Sequence, residues 1–434
     1  MRTFRGGVHP PERKELSKDA PIERLPLPEV LYIPLSQHTG APAKPLVKKK
    51  DKVKRGTKIG EIQGFISANV HSPVSGTVKG IGPWYHPLGK KQDVVIIEVE
   101  GDEPEEGVGE ERDVDKLSKE ELVEAVREAG IVGLGGAAFP THVKLSPPKP
   151  IDTVILNGAE CEPYLTSDYR IMMEMPEKVI EGARIIKRIL EPERVIVGIE
   201  DNKPDAAERI KEVAARENWI EVVLLKTKYP QGSEKQLIYA LTGRQVPSGG
   251  LPFDVGVLVQ NVGTCVAIYE AVRYKKPLYE RVVTVTGGVN EPKNLMVPIG
   301  TPVKNLIDYA GGAKGEIGKV IFGGPMMGLA QLSLDVPVIK GTSGVLVQLK
   351  QEVFAGEERG CIRCASCVDV CPMGLVPVMM ANVIEAGKHE MAEKLGVLDC
   401  IECGCCAYVC PTKRNLVQYF KYAKREIIKK KKKG

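Results

Sequence analysis

Two runs in the last quarter of the chain, 361-CIRCASCVDVCP-372 and 400-CIECGCCAYVCP-411, place cysteines at C-x2-C-x2-C-x3-C-P spacing. Thiolates so spaced wrap one face of a [4Fe–4S] cube, and the fourth cysteine of each run conventionally ligates the other cluster. That rule assigns Cys361, Cys364, Cys367 and Cys410 to one cluster, and Cys400, Cys403, Cys406 and Cys371 to a second. Pro372 and Pro411 turn the chain away after the last ligand. Structural zinc also favours four cysteines, but it usually pairs two C-x2-C knuckles, and a third cysteine at x2 is unusual there. Cys405 is a surplus thiol, read as a packed neighbour. The connecting 373–399 segment reads as helical. Two clusters in crossed ligation form a relay for single electrons, which leaves everything before Cys361 to explain.

A chain of 434 residues suggests about two to four domains. With 43% apolar and 27% charged residues it is globular in composition. Its net charge of +5 hides an uneven distribution. Between Lys421 and Lys433 eight basic residues face Glu426 alone, a sum of +7 that leaves the rest at −2. The body is therefore not a nucleic-acid binder, and the basic stretches lack the interleaved aromatics that stack on bases. No segment approaches the ~20 apolar residues of a membrane span. The stretch MRTFRGGVHPPERKELS has no apolar core of a secretory signal. A reducing cytosolic setting is expected, where clustered thiols read as metal ligands.

The order of patterns divides the chain. Residues 1–43 are proline-rich and read as an extended segment lying against other parts of the fold. Residues 44–101 alternate short strands with turns and resemble the barrel-sandwich domains that carry lipoyl or biotinyl lysine. No lysine stands between Gly64 and Ser75, so a β module without the prosthetic group is expected. An acidic linker, 102–115, reads as solvated. Over 116–275, Ser118 and Glu121 make a capping box. Four apolar strands (153–157, 194–199, 222–226, 255–259) then alternate with amphipathic helices over 177–191 and 204–218. Such alternation predicts a mostly parallel sheet covered on both faces, an α/β fold. A hairpin and helix over 281–312 open a compact α+β module, closed by GGPMMG at 323–328. The cysteine region occupies 350–425, and 426–434 reads as a basic tail.

The α/β region carries a second signal. In 130-GIVGLGGAAFPTHVK-144, Gly133, Gly135 and Gly136 allow close backbone approach, and Lys144 supplies a cation for a phosphate. The loop departs from G-x-G-x-x-G and precedes a strand instead of following one. After that strand, 157-NGAECEPYLTSDYRIM-172 puts Glu160 and Glu162 at its C-terminal end, where open parallel sheets hold ligands. The loops 229-YPQGSEKQL-237 and 260-QNVGTCVAI-268 each start a helix, whose N-terminal amides favour anions.

Together these residues resemble a family. G-x-G-G-A-x-F-P-T-x-x-K followed by N-x-x-E-x-E-P is similar to the flavin- and NADH-binding subunit of respiratory complex I and of NAD-linked hydrogenases. The dicluster end, the N-terminal F-R-G-G-V-H-P and the order of modules resemble the RnfC component of the Rnf ion-translocating ferredoxin:NAD oxidoreductases, over essentially the whole chain. The resemblance implies a Rossmann-like FMN/NADH domain, a barrel-sandwich module, a β-grasp (SLBB-like) module over 281–330 and a helical two-[4Fe–4S] ferredoxin domain. It implies FMN on the Gly133–Gly136 loop with Lys144 near its phosphate. Asn157, Glu160, Asn261 and Thr264 would contact the ring or ribityl chain. Phe139, Glu162 and Glu234 would border the nicotinamide pocket. Three departures predict fewer flavin contacts than in complex I: Leu134 replaces an arginine, Ala159 an aspartate, and Ser233 the first glutamate of a Gly-Glu-Glu.

The implied activity is NADH:acceptor oxidoreduction, with a hydride pair entering from NADH and single electrons leaving through the clusters, or the reverse. The cofactors would be NAD(H), FMN and two [4Fe–4S] clusters, with no catalytic acid or base required. Implied partners are other subunits of a membrane redox complex, of the Rnf A, B, D, E and G types. Ferredoxin would be reached indirectly, and the chain would sit peripherally on the cytoplasmic face of the cell membrane. The basic tail could touch anionic lipid. Two other readings stay open on the sequence: a diaphorase subunit of a soluble hydrogenase or formate dehydrogenase, and a flavin-free two-cluster relay.

Overall fold

A computed structural model describes residues 2–354 and 356–431. The flavin-like region is built on a four-stranded, all-parallel sheet in the order Ile220–Leu225, Arg194–Glu200, Thr153–Gly158, Val257–Asn261. The four apolar runs form these strands because both faces of the sheet pack on apolar cores, the edge strand Ile220–Leu225 being only partly buried. Helices Lys119–Glu128, Pro176–Leu190, Pro204–Ala214 and Val262–Tyr274 supply much of the cover. Ser118 accepts from the Glu121 amide at 3.2 Å while Glu121 accepts from the Ser118 amide at 2.7 Å, completing the capping box.

The barrel-sandwich module has its own core of Leu31, Ile33, Ile59, Val70, Val78 and Ile97. Its long hairpin, Ser75–His86 with Lys90–Gly101, is flanked by Val30–Pro34, so this sheet reaches back into the segment read as extended. The β-grasp sheet has six strands. Its central members are Glu280–Gly287 and Gly344–Leu349, and the latter lies beyond residue 330. The strand Ile22–Arg24 closes one edge in parallel with Lys293–Pro298.

The first 34 residues thus touch every module. Arg2 bridges Leu225 on the flavin-domain sheet, and Val8 bridges Tyr229. The Gly7 amide donates to Val370 O in the cysteine region at 2.8 Å. In that region the 373–399 connection forms helices Pro377–Glu385 and His389–Lys394, packed on Leu416–Lys431. Residues 426–431, read as a tail, are the last turns of that helix, because Ile427 is buried with Phe420 and Ala423 against Met380 and Ile384. The rest of the lysine run, 432–434, lies outside the described residues.

Candidate flavin and cluster sites

The glycine loop lies at the C-terminal edge of the parallel sheet and closes on itself. The Gly133 amide donates to Phe139 O at 2.9 Å, and Thr141 N donates to Ile131 O at 2.9 Å. Leu134 N donates to Thr264 Oγ1 at 2.9 Å. Asn261 caps the helix Val262–Tyr274, with Oδ1 accepting from the amides of Gly263 at 2.9 Å and Thr264 at 3.2 Å. A Cβ on Gly135 would sit 2.9 Å from Asn261 Nδ2, so glycine alone permits this approach. Nothing lies within 4 Å of a Cβ built on Gly136. Gly135, Gly136 and Ala137 are exposed, and their amides make no hydrogen bond among the described residues. The loop therefore presents an open face of free donors, with half-buried Phe139 on its return.

The remaining candidates frame that face. Asn157 Nδ2 donates to Gly232 O at 2.8 Å, tying the strand end to the YPQGSE loop. Lys144 Nζ bonds Val259 O at 2.9 Å and Glu234 Oε1 at 3.1 Å, so these two candidates form a pair. Gln231, which the sequence reading passed over, is fully buried with both amide atoms unpartnered in the same loop. Buried orphans of this kind call for a missing partner. Open amides, a lysine and an orphaned glutamine fit a phosphorylated, hydrogen-bonding ring system such as FMN.

The carboxylates of the acidic motif are engaged with backbone amides. The Glu160 carboxylate accepts from the amides of Asp168 at 2.7 Å and Tyr169 at 3.1 Å, capping the helix Ser167–Glu174. Glu162 accepts from the amides of Met326 at 3.1 Å and Met327 at 2.7 Å, in the GGPMMG loop. Burial pushes its carboxyl up to about 7, against those two donors. Beneath the motif lies Lys14, from the N-terminal segment. Its ammonium donates to Glu160 O at 2.8 Å, Glu162 O at 3.0 Å and Leu165 O at 2.6 Å. Lys14 carried no motif in the sequence, and only the chain path reveals it.

The two cysteine runs share one backbone conformation. Left-handed residues recur at their third and fifth positions: Arg363 and Ala365 in the first, Glu402 and Gly404 in the second. This curl directs the amides of Arg363 and Glu402 at Cys361 Sγ and Cys400 Sγ, both at 3.4 Å. Cys361, Cys364, Cys367 and Cys410 line one small cavity, and Cys371, Cys400, Cys403 and Cys406, with Cys405 beside them, line another. These are the two crossed sets of four. Four thiols around one small cavity fit a four-iron cube in each set.

The two sets differ in surroundings. Cys403 and Cys406 are buried, whereas Cys361 and Cys364 are exposed. Tyr229, beside Gln231, donates its hydroxyl to Cys403 O at 2.7 Å. Cys405 is fully buried against Tyr229 and also borders the cavity of the second set, as a fifth cysteine beside the four. Gln236 Nε2 donates to Pro372 O at 3.3 Å. The buried set thus abuts the flavin-like domain, and the exposed set faces outward.

With this geometry established, family models match in the same order along the chain. They are the RnfC barrel sandwich hybrid domain (2–102), the Nuo51 FMN-binding domain (126–270), the SLBB domain (282–330) and a 4Fe-4S dicluster domain (355–411). The chain is 51% identical over 431 residues to the RnfC component of the proton-translocating ferredoxin:NAD(+) oxidoreductase complex of Clostridium ljungdahlii, covering 98% of this chain and 94% of that one. The chain belongs to the RnfC family. It is also 45% identical to the corresponding component of the Na(+)-translocating ferredoxin:NAD(+) oxidoreductase complex of Acetobacterium woodii, over 100% of this chain and 98% of that one. An NAD+-reducing [NiFe]-hydrogenase shares the fold at 20% identity and a TM-score of 0.52, over 71% of this chain and 62% of that one. The resemblance read from the sequence and the four expected module types agree with these matches. The chain carries an FMN-binding domain and a dicluster domain, as part of a multisubunit redox complex.

Proposed function

We propose that this RnfC protein exchanges electrons between NAD(H) and its complex partners through FMN on the Gly133–Gly136 loop and the two clusters. The observation that carries this reading is the contact between the sites. The Tyr229–Gln231 loop borders the flavin face on one side and holds the Cys403 loop on the other. Bound FMN would supply the conversion between a hydride pair and single electrons that a cluster relay requires. In this reading the free amides of residues 135–137 and Lys144 hold the flavin phosphate and ring edge, while Asn157 and Asn261 fix the surrounding loops. The buried cysteine set is the cluster nearer the flavin. Exposed Cys361 and Cys364 mark the cluster that faces the partner.

No helix among the described residues is long and apolar enough to cross a membrane. We therefore place the ion path in other subunits and this chain peripherally, on the cytoplasmic face where NADH is available. The test is an anaerobic absorbance spectrum with iron, zinc and flavin assays, before and after FMN and NADH. About eight irons with flavin, and bleaching of both bands by NADH, is the expected result. Iron without flavin uptake, and no bleaching even in added FMN, would overturn the NADH role and leave a two-cluster relay.

A further inference from the structure

The barrel-sandwich module sends one hairpin to the flavin loop. Its turn, 62-IQGFISAN-69, carries no charge. Ile62 N donates to Asn69 Oδ1 at 2.9 Å and Gln63 N to Ser67 Oγ at 3.1 Å, which closes the turn on itself. Its base is fixed to the start of the glycine loop. Asn69 Nδ2 donates to Glu128 O at 3.2 Å, and Lys340 Nζ joins Asn69 O at 2.6 Å to Gly130 O at 2.7 Å. Arg281 Nη1 holds the same loop further along, donating to Leu134 O at 3.2 Å. Nearer the tip the link runs through Thr39. Its Oγ1 donates to Ala137 O at 2.7 Å and its amide to Ala138 O at 3.2 Å, while the Ala41 amide donates to Ile66 O at 2.9 Å. Gly40, at φ +110°, lies so close that a Cβ there would be 2.0 Å from Ile66 O. Residues 65 and 66 are therefore held beside residues 137 and 138, with only the Thr39–Ala41 stretch between them.

At that tip Phe65 is 79% exposed, with Ile66 beside it at 36%. Exposed apolar residues are ordinary where they are scattered, but this pair is fixed next to the open donors of residues 135–137. An uncharged aromatic lip suits a neutral planar ring, which it covers by stacking, and offers nothing to a phosphate. We infer that Phe65 is a stacking contact for the purine ring of NAD(H), supplied by the barrel-sandwich module. The dinucleotide is long, and only its nicotinamide end has to meet the flavin. With that end against Phe139, which directly follows residues 137 and 138, the hairpin side of the loop is the exit for the adenylate half. The lip thus adds affinity for the whole dinucleotide without touching the reacting ring. This rests on the NAD(H) reading proposed above.

The test is anaerobic stopped-flow reduction of the full chain, loaded with FMN and clusters. The donors are NADH and reduced nicotinamide mononucleotide, which carries the same hydride but lacks the adenylate half. Phe65→Ala should raise the half-saturating NADH concentration about tenfold, the worth of one ring stack, without lowering the limiting rate of flavin reduction. It should raise that of the mononucleotide far less. Phe65→Trp, which keeps a ring, should stay near the wild type. Equal weakening of both donors, no weakening of either, or loss of flavin from Phe65→Ala would overturn the inference. A wild-type chain that NADH does not reduce would instead sink the reading on which it rests.

Discussion

The cluster domain and the flavin cradle are built on opposite plans. Each thiol set draws three cysteines from one short run and the fourth from the other. The cradle takes its donors from the glycine loop and its loop anchors from strand ends of the parallel sheet. Its buried cations come from still further away: Lys14 from the N-terminal segment, Arg281 and Lys340 from the β-grasp module. The first is specified by spacing and the second by assembly. A cluster site should therefore fail ligand by ligand, whereas the cradle should fail when any module lets go.

The sharpest break of the first plan is the crossed ligand. Cys371→Ser should strip the buried cluster and Cys410→Ser the exposed one, each leaving about four of eight irons. Iron assay and the EPR signal of the surviving centre check this. Loss of the cluster belonging to the mutated run would reject the crossed arrangement.

The second plan is tested next by Lys14→Met, which leaves three carbonyls without their shared donor. Leaving buried acceptors unsatisfied should destabilise the flavin domain by about 1–3 kcal/mol. FMN affinity should fall with it while iron content persists. Thermal unfolding with flavin and iron assays reads all three, and an undiminished flavin affinity would show that the cradle forms without the N-terminal clamp.

A comparable effect comes from Glu280, which links Arg24 of that clamp to the β-grasp module. Burial alone would raise its carboxyl, but Lys276 at 2.9 Å and Arg24 at 2.6 Å hold it down to about 2, from an ordinary 4.5. Its folded pKa is depressed, so its contribution is present above about pH 4.5 and is lost as the pH falls toward 2. The shift corresponds to stability on the order of 3 kcal/mol. Denaturant midpoints across that window should fall less in Glu280→Gln than in the wild type. The least effect belongs to Ser118→Ala, about 1 kcal/mol from a local cap that no other module touches. It should lower the melting temperature without altering flavin or iron content.

The parallel sheet, its helices and the capping box were legible because each depends on periodicity or on residues three positions apart. The two thiol sets were legible because a metal cube imposes spacing on a short loop, and a dicluster domain model matches over the same residues. What the sequence reading missed has no such local mark. Glu160 and Glu162 stood out as acids at a strand end, and only the fold shows which backbone amides their carboxylates accept from. Gln231 lay inside a quoted motif, and only its burial without a partner singles it out. Strand Gly344–Leu349 went unread, although it pairs with Glu280–Gly287 across some sixty residues of chain.

By itself the sequence determined the order of modules, the two thiol sets and the glycine loop, since each is written in neighbouring residues whose geometry the backbone dictates. Tertiary structure alone decided which cluster abuts the flavin domain, and that Lys14, Arg281 and Lys340 converge on the cradle. Those outcomes depend on how separately patterned modules pack, and burial gives a lysine or arginine its meaning only after the neighbours that exclude water have arrived.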